Sequence, residues 1–142
     1  MPLTLTIVTP EGTRYDGPVD SVVVPGTEGD FGVLPGHERF LAPIRIGELE
    51  VRSGNDPARR WAAVGGGFAD VGAERVVLLV DSCEFAGDID EARAEQARAR
   101  AEQELQRNRA ARDEEFNFRV EEAALQRAII RIQVSKKKGM VA

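Results

Sequence analysis

Three ionisable side chains lie close together on a segment that is rich in glycine and proline. Glu28, Asp30 and His37 fall within residues 25–37, where four glycines and two prolines predict tight, specific turns. Two carboxylates can act as general acid and base, and a histidine can relay a proton. The chain has one histidine and no Gly-x-Ser-x-Gly sequence, which disfavours a Ser-His-Asp relay or a zinc site. A partner-facing loop is the better interpretation, and a small hydrolase using these three residues stays the alternative.

A pair of arginines further along the chain favours anion binding. Arg127 and Arg131 are four positions apart and fall on one face of a predicted helix, almost opposite Leu125 and Ile129. Two guanidinium groups placed in this way can jointly bind a phosphate. Solvated surface arginines produce the same pattern, so both interpretations stay open at the level of the sequence.

The elements that carry these residues change type along the chain. Up to residue 86, short apolar segments alternate with turns rich in glycine and proline, which predicts an all-β sandwich or barrel. Residues 3–7 alternate apolar and polar side chains, as in a half-buried strand. A turn at Gly17 and Pro18 is predicted to precede the next strand, residues 19–24, whose run of valines predicts burial on both faces.

From Asp88 onwards the apolar residues recur every three or four positions, which is typical of one face of a helix. Asp88 and Glu91 resemble a capping box and predict a first helix over residues 89–107, with a buried face made mostly of alanine. A second helix is predicted over residues 114–134 with Asp113 as its cap, and the short connection makes the two an antiparallel hairpin. Alanine methyl groups bury little apolar area, so we expect this hairpin to be held weakly and to be able to move.

Composition divides the chain at the same place. All seven prolines and all but one of the fourteen glycines lie at or before Gly87, whereas eleven alanines follow it. Residues 1–86 carry 7 basic and 13 acidic side chains, and the rest of the chain carries 12 and 11. We therefore expect two domains, a β-sandwich over residues 1–86 and a helical hairpin with a basic tail over residues 87–142.

Several classes of protein are disfavoured. A net charge of −5 argues against nucleic-acid binding, which needs a basic surface. Cys83 is the only cysteine and gives no sign of an oxidising compartment, and no apolar run approaches the roughly 20 residues of a membrane span. We expect a soluble protein without a metal site. Residues 65–67 are three glycines without a following Gly-Lys-Ser/Thr, so they predict a close backbone approach within a sheet rather than a phosphate-binding loop.

Several segments, taken in order over essentially the whole chain, resemble the epsilon subunit of bacterial F-type ATP synthases. The matching segments are residues 7–12, residues 22–37, residues 65–68, the strand ending at Asp81, and residues 124–128. The resemblance implies an N-terminal β-sandwich of about ten strands followed by a two-helix hairpin.

The resemblance also implies a function. A member of this family is a non-catalytic rotor subunit that joins the gamma subunit to the c-ring, at the cytoplasmic face of the bacterial membrane. Its hairpin either folds onto the sandwich or extends toward the alpha and beta subunits, where it inhibits ATP hydrolysis. By similarity, Glu28, Gly29 and Asp30 face the c-ring and His37 lies near gamma. A free-standing adaptor whose helices pair with another coiled coil is a further alternative, but the apolar stripe is short for that role.

Some members of the family bind ATP as a regulatory ligand and need no cofactor. Their motif of Ile or Leu, Asp, two variable residues, Arg and Ala is matched at residues 89–94. The ATP-binding residues implied by the resemblance are Glu84, Ile89, Asp90, Arg93, Ala94, Arg127 and Arg131. ATP that bridges both helices would favour the folded hairpin.

Overall fold

The computed structural model describes residues 2–54, 59–111 and 117–138, which form ten strands and two α-helices. The strands are β1 Leu3–Thr9, β2 Gly12–Val19, β3 Ser21–Gly26, β4 Gly29–Val33, β5 Phe40–Ile44, β6 Gly47–Arg52, β7 Arg59–Val64, β8 Gly67–Val71, β9 Arg75–Val80 and β10 Cys83–Phe85. A 3₁₀ turn at Ala86–Asp88 leads to α1, Glu91–Ala111, and α2, Phe118–Ser135. The predicted fold class, a β-sandwich followed by a helical hairpin, is confirmed.

The described strands form one hydrogen-bonded sheet that folds around a single core. Their order is β10-β7-β6-β3-β5-β8-β9-β1-β2, and β4 pairs with β3 beside this path. Within these strands, β1 and β9 form the one parallel pair, and the other pairs are antiparallel. Leu3, Leu5 and Ile7 of β1 are fully buried in this core, as their alternation predicts.

The strand β2 was not predicted. Gly17 and Pro18 lie inside β2 and pair with β1, so the predicted turn at these residues is wrong. Pro18 is tolerated because β2 ends the strand order and needs partners on one side only. The next strand begins at Ser21 and alternates, since Val23 is partly exposed while the valines on either side of it are buried. The prediction of burial on both faces is therefore also wrong.

Residues 25–37 form a β-hairpin over much of their length rather than a loop. β3 and β4 pair as far as Gly26 and Gly29, and Gly29 adopts a φ of 128°, a left-handed conformation that glycine takes without strain. Beyond β4, the N–H of Gly36 donates to the carbonyl oxygen of Ala73 at 2.7 Å. Both ends of the segment are thus fixed to the sandwich.

The glycine triplet lies where two strands approach each other closely. A Cβ atom on Gly67 would stand 1.9 Å from the carbonyl oxygen of Leu79 in the neighbouring strand. The predicted close backbone approach at residues 65–67 is confirmed.

The first helix begins later than predicted. The Asp90 carboxylate accepts a hydrogen bond from the backbone N–H of Arg93 at 3.1 Å, so Asp90 caps α1. Asp88 instead ends the preceding 3₁₀ turn, and the predicted capping box with Asp88 as its first residue is wrong. Ala94 and Ala101 are buried, which confirms the alanine-rich inner face of this helix.

The second helix also begins later than predicted. Asn117 has an extended backbone, and its side chain accepts a hydrogen bond from the N–H of Val120 at 3.3 Å. The helix therefore starts at Phe118 and not at residue 114, because Asn117 satisfies a free N–H of the first turn. The predicted cap, Asp113, lies outside the described residues.

The helical hairpin rests on the sandwich through a small apolar cluster and two ion pairs. The cluster is formed by Trp61, Ala63, Ala86, Ile89, Ile130 and Val134. One ion pair joins Arg131 to Glu84 at 2.8 Å, and the other joins Lys137 to Glu48. Neither of the two helices, over the residues that the structure describes, has the length and hydropathy needed to cross a membrane.

Candidate functional site

A cavity of about 510 Å³ lies where β10, the 3₁₀ turn and both helices meet. Its size falls within the range of small-molecule pockets. Six of the seven residues that the family resemblance implies for ATP binding line it: Glu84, Ile89, Asp90, Arg93, Ala94 and Arg131. The fold therefore brings Arg131 of α2 next to the other five residues, which all lie within residues 84–94.

The cavity contains charges of both signs. Arg131 Nε donates to Glu84 Oε1 at 2.8 Å, and each side chain is about one-third exposed. The Asp90 carboxylate is used as the helix cap, so it orients the start of α1. Arg93 lines the cavity from α1 and is exposed, with no ion pair to another described residue. An incoming anion could bind Arg93 directly but would compete with Glu84 for Arg131.

Arg100 is a lining residue that the sequence reasoning missed. It lies seven positions after Arg93 on α1, which places both on one face two turns apart. Arg93 and Arg100 together present two guanidinium groups to the cavity from the first helix. The spacing of seven residues is the signal that would have identified Arg100.

Arg127 does not line this cavity. It lies beside a narrow crevice between α2 and the sandwich, together with Ile46 and Ile130. Arg131 lines both spaces. The structure therefore brings Arg131 to the cavity and leaves Arg127 next to it, so that the two arginines do not grip one site jointly in this conformation.

The tip of the β3–β4 hairpin is exposed and acidic. Glu28 lies in the turn without enclosure, and Asp30 forms an ion pair with Arg45 at 2.7 Å. Arg45 also donates to the carbonyl oxygen of Gly26 at 2.8 Å. A single arginine thus holds both arms of the hairpin, and the tip presents a fixed shape to a partner.

His37 orders its own turn. Its Nδ1 lies 2.8 Å from the carbonyl oxygen of Glu38, and its ring lies 5.0 Å from that of Phe40. Because the turn is tied to the β8–β9 connection through Gly36, His37 lies at the end of the β5, β8 and β9 strands.

An apolar patch covers the outer face of the same three strands. Leu41, Phe68 and Leu79 are 68%, 53% and 53% exposed. Phe68 pairs directly with Leu79, and Leu41 is two residues from Pro43, the partner of Phe68, so all three side chains lie on one face. Large apolar side chains grouped on a surface mark an interaction site. This patch had not been predicted from the sequence.

Neither metal binding nor thiol chemistry is supported within the described part of the chain. No three His, Cys, Asp or Glu side chains there come together in a way that could hold a metal ion. Burial raises the pKa of the Cys83 thiol to about 12, an effect that Arg14 opposes and Glu84 reinforces. The thiol therefore stays protonated and unreactive at neutral pH.

Comparison with protein families gives matches over both parts of the chain. The model of the ATP synthase Delta/Epsilon chain beta-sandwich domain matches residues 2–86, and that of the long alpha-helix domain matches residues 88–136. The ATP synthase epsilon chain of Syntrophobacter fumaroxidans is 44% identical over 133 residues, which is 94% of this chain and 95% of the relative. That of Geobacter sp. strain M21 is 42% identical over 135 residues, with 95% and 94% covered.

Solved structures share the fold. A chain in the Euglena gracilis mitochondrial ATP synthase, in an OSCP/F1/c-ring structure, aligns with a TM-score of 0.78 and 23% identity. The alignment covers 95% of this chain and 81% of that chain. A chain in the Tetrahymena thermophila central stalk and c-ring structure aligns with a TM-score of 0.52 and 13% identity, covering 97% and 96%.

Proposed function

The chain belongs to the family of ATP synthase epsilon chains, and from that premise we propose that residues 1–86 bind the rotor while residues 87–142 regulate ATP hydrolysis. Epsilon chains are non-catalytic subunits, so the hypothesis of a hydrolase using Glu28, Asp30 and His37 is wrong. The free-standing adaptor is set aside because epsilon chains are subunits of the ATP synthase complex. In the proposal, the subunit belongs to the central stalk at the cytoplasmic face of the membrane.

The sandwich would contact the gamma subunit through the apolar patch Leu41, Phe68 and Leu79. These side chains are exposed in the isolated chain and would lose that exposure against a partner. His37 lies at the end of the same strands, which supports its assignment near gamma. Capture of gamma by the wild-type chain but not by Phe68→Glu would support this docking face. Equal capture by both would refute it.

The acidic hairpin tip, with Glu28, Gly29 and Asp30, would contact the c-ring. The contacts of Arg45 with both strands of the hairpin support this proposal. A tip that is already held in place loses little conformational entropy on binding. Replacing Arg45 by alanine should weaken association with the c-ring while leaving capture by gamma unchanged. Loss of both associations would mean that the change disrupts the sandwich.

The hairpin is held to the sandwich by a modest free energy. Burial of Ile130 and Val134 contributes roughly 1.5 to 3 kcal/mol each. The ion pairs of Arg131 and Lys137 are partly exposed and contribute at most about 1 kcal/mol each. A ligand of the folded state adds about 1.4 kcal/mol for each tenfold rise in concentration above its Kd. Such a change shifts the population between the folded and extended hairpin when contacts of the extended form with the alpha and beta subunits bring the two forms close in free energy.

ATP would be that ligand, bound in the 510 Å³ cavity. The observation that carries this proposal is the convergence of six family-implied residues on one cavity between sandwich and hairpin. Arg93 and Arg100 from α1 and Arg131 from α2 would bind the phosphates, so ATP would connect the two helices. When ATP is scarce, the hairpin would extend toward the alpha and beta subunits and inhibit hydrolysis.

Calorimetric titration of the isolated chain with ATP tests the binding step. Wild type should bind one ATP, and Arg93→Ala or Arg131→Ala should weaken binding by about tenfold or more, the value of a charge-assisted hydrogen bond. Arg119→Ala, an exposed arginine at the start of α2 that does not line this cavity, is the matched control. Absence of heat from wild type at millimolar ATP would refute ATP sensing and leave the rotor assignment intact.

The inhibitory step is tested separately. ATP hydrolysis by the catalytic complex is measured with the full chain and with a chain ending after Gly87. The proposal expects faster hydrolysis with the shortened chain at low ATP and a smaller difference at high ATP. If hydrolysis is unchanged although both chains are incorporated, the hairpin has no inhibitory role.

A further inference from the structure

A second cleft, of about 460 Å³, lies on the other side of the 3₁₀ turn from the cavity described above. It is bounded by β2, β7 and β10 of the sandwich and by the residues that follow α2. Asp88 of the turn lines both spaces, so the turn separates them. None of the residues implied for ATP binding lines this second cleft.

Cationic side chains outnumber acidic ones in the lining of this cleft. Its cationic lining residues are Arg14, Arg59, Arg60, Lys137 and Lys138. Asp88 is the one carboxylate among the described lining residues. Three of the cations are engaged by acids outside the lining: Arg14 by Glu11, Arg59 by Glu50 and Lys137 by Glu48. Arg60 and Lys138 are exposed and have no ion pair with any residue that the structure describes.

Aromatic rings hold these cations in place. The Arg59 guanidinium lies 5.7 Å from the centre of the Trp61 ring, and the Lys137 ammonium lies 5.5 Å from it. Arg60 lies 6.0 Å from the centre of the Phe85 ring. Cation–π contacts fix the positions of the charges without neutralising them. Cations lie over these rings, so the rings are not free to stack on a nucleobase. The cleft is therefore better suited to an anionic group.

We propose that this cleft binds a small inorganic polyphosphate, of the pyrophosphate or tripolyphosphate class. Arginine offers a planar fork that matches phosphate oxygens, and lysine adds a point charge. The two lining cations without an ion pair to a described residue lie on different parts of the chain: Arg60 is on β7, and Lys138 follows α2. An anion with two or more phosphoryl groups offers separate oxygen atoms to the two cations. A ligand bound in this way attaches the end of α2 to the sandwich, independently of ATP.

Trp61 provides a local reporter, because it is the only tryptophan in the chain and lines this cleft but not the ATP cavity. The fluorescence of the full chain is titrated with inorganic tripolyphosphate at low ionic strength, where screening is weakest. A saturable change in emission is expected. The double change Arg60→Gln with Lys138→Gln should weaken binding by about tenfold or more, since each charge-assisted hydrogen bond contributes at least that much. Both side chains are exposed, so these variants should fold.

A gain of affinity is expected from the opposite change. Asp88→Asn removes the carboxylate that repels an anion, and binding should tighten by about two- to fivefold. Arg39 is an exposed arginine next to the β8–β9 turn, outside this cleft. Arg39→Gln is therefore the control for non-specific attraction of the anion to surface charge, and it should leave binding unchanged. Arg93→Gln is the control for the ATP cavity and should also leave the Trp61 signal unchanged.

Three results would overturn the proposal. The first is the absence of a saturable Trp61 response to tripolyphosphate. The second is an equal loss of affinity in Arg39→Gln and in the double variant, which would indicate non-specific attraction to surface charge. The third is loss of the Trp61 response in Arg93→Gln but not in the double variant, which would place the anion in the other cavity.

Discussion

Replacement of Val134 by alanine is expected to loosen the helical hairpin while leaving the sandwich intact. Val134 is fully buried and packs in the cluster that joins α2 to Trp61 and Ala63 of β7. The change removes two methyl groups, which contribute about 0.8 kcal/mol each, and the remaining cavity adds to the loss. We expect the attachment of the hairpin to weaken by about 2 kcal/mol, or roughly 30-fold in the equilibrium between attached and detached forms.

Native-state hydrogen exchange measures this effect residue by residue. The amides of residues 130–135 should exchange about 30-fold faster in Val134→Ala than in wild type. The amides of β1 and β9 should keep their wild-type rates, because these strands lie in the other apolar cluster. Val120→Ala is the matched control, since Val120 is on the same helix but 57% exposed. The two changes alter helix propensity equally, and only one of them removes a buried contact.

Two outcomes would refute this reasoning. If Val134→Ala accelerates exchange in β1 and β9 as much as in α2, the hairpin and the sandwich unfold as one unit. If Val134→Ala and Val120→Ala have the same small effect, the apolar cluster does not hold the hairpin. Either outcome would also remove the physical basis of a ligand-controlled hairpin.

Other parts of the molecule can be tested by single changes. Asn117→Ala should destabilise α2 by about 1 kcal/mol, seen as faster exchange in its first turn, whereas Asn117→Asp should preserve the cap. Gly67→Ala should lower the free energy of unfolding in urea by about 3 kcal/mol or more, because its methyl group would collide with the β9 backbone, whereas Gly32→Ala, with open space around it, should cost about 1 kcal/mol or less. Cys83 should resist alkylation at pH 8 in the folded protein and react after unfolding. Its folded pKa of about 12 lies above the ordinary thiol value of 9.0, so unfolding releases a proton above pH 9 and stability should fall between pH 9 and 12 relative to Cys83→Ala.

The sequence was sufficient to predict the fold class because its two periodicities are clear. Alternation in residues 3–7 predicts β1, and the alanine repeat after Asp88 predicts the inner face of α1. The turn at Gly17 and Pro18 was wrongly predicted because both residues also suit an edge strand. Whether a strand lies at an edge depends on the pairing of the whole sheet, which local composition does not contain.

The sites could be predicted only in part. The motif at residues 89–94 lies on a short continuous segment, so four of its residues line the 510 Å³ cavity together. Arg127 and Arg131 share a helix face and both line the narrow crevice, but the way α2 packs on the sandwich brings only Arg131 to the larger cavity. The basic cleft was not predicted, because its cations come from β2, β7 and the end of α2. Only tertiary packing brings such separated charges together.

The parallel pairing of β1 with β9 limits how early the sandwich can fold during synthesis of the chain. Leu5 pairs with Val76, so β1 lacks its second neighbour until the residues of β9, about 70 positions later, have been synthesised. The sandwich therefore cannot close before β9 is made, and α1 and α2 follow β9 in the chain. The apolar side chains of α2 are thus synthesised after Trp61 and Ala63, the strand residues on which they pack.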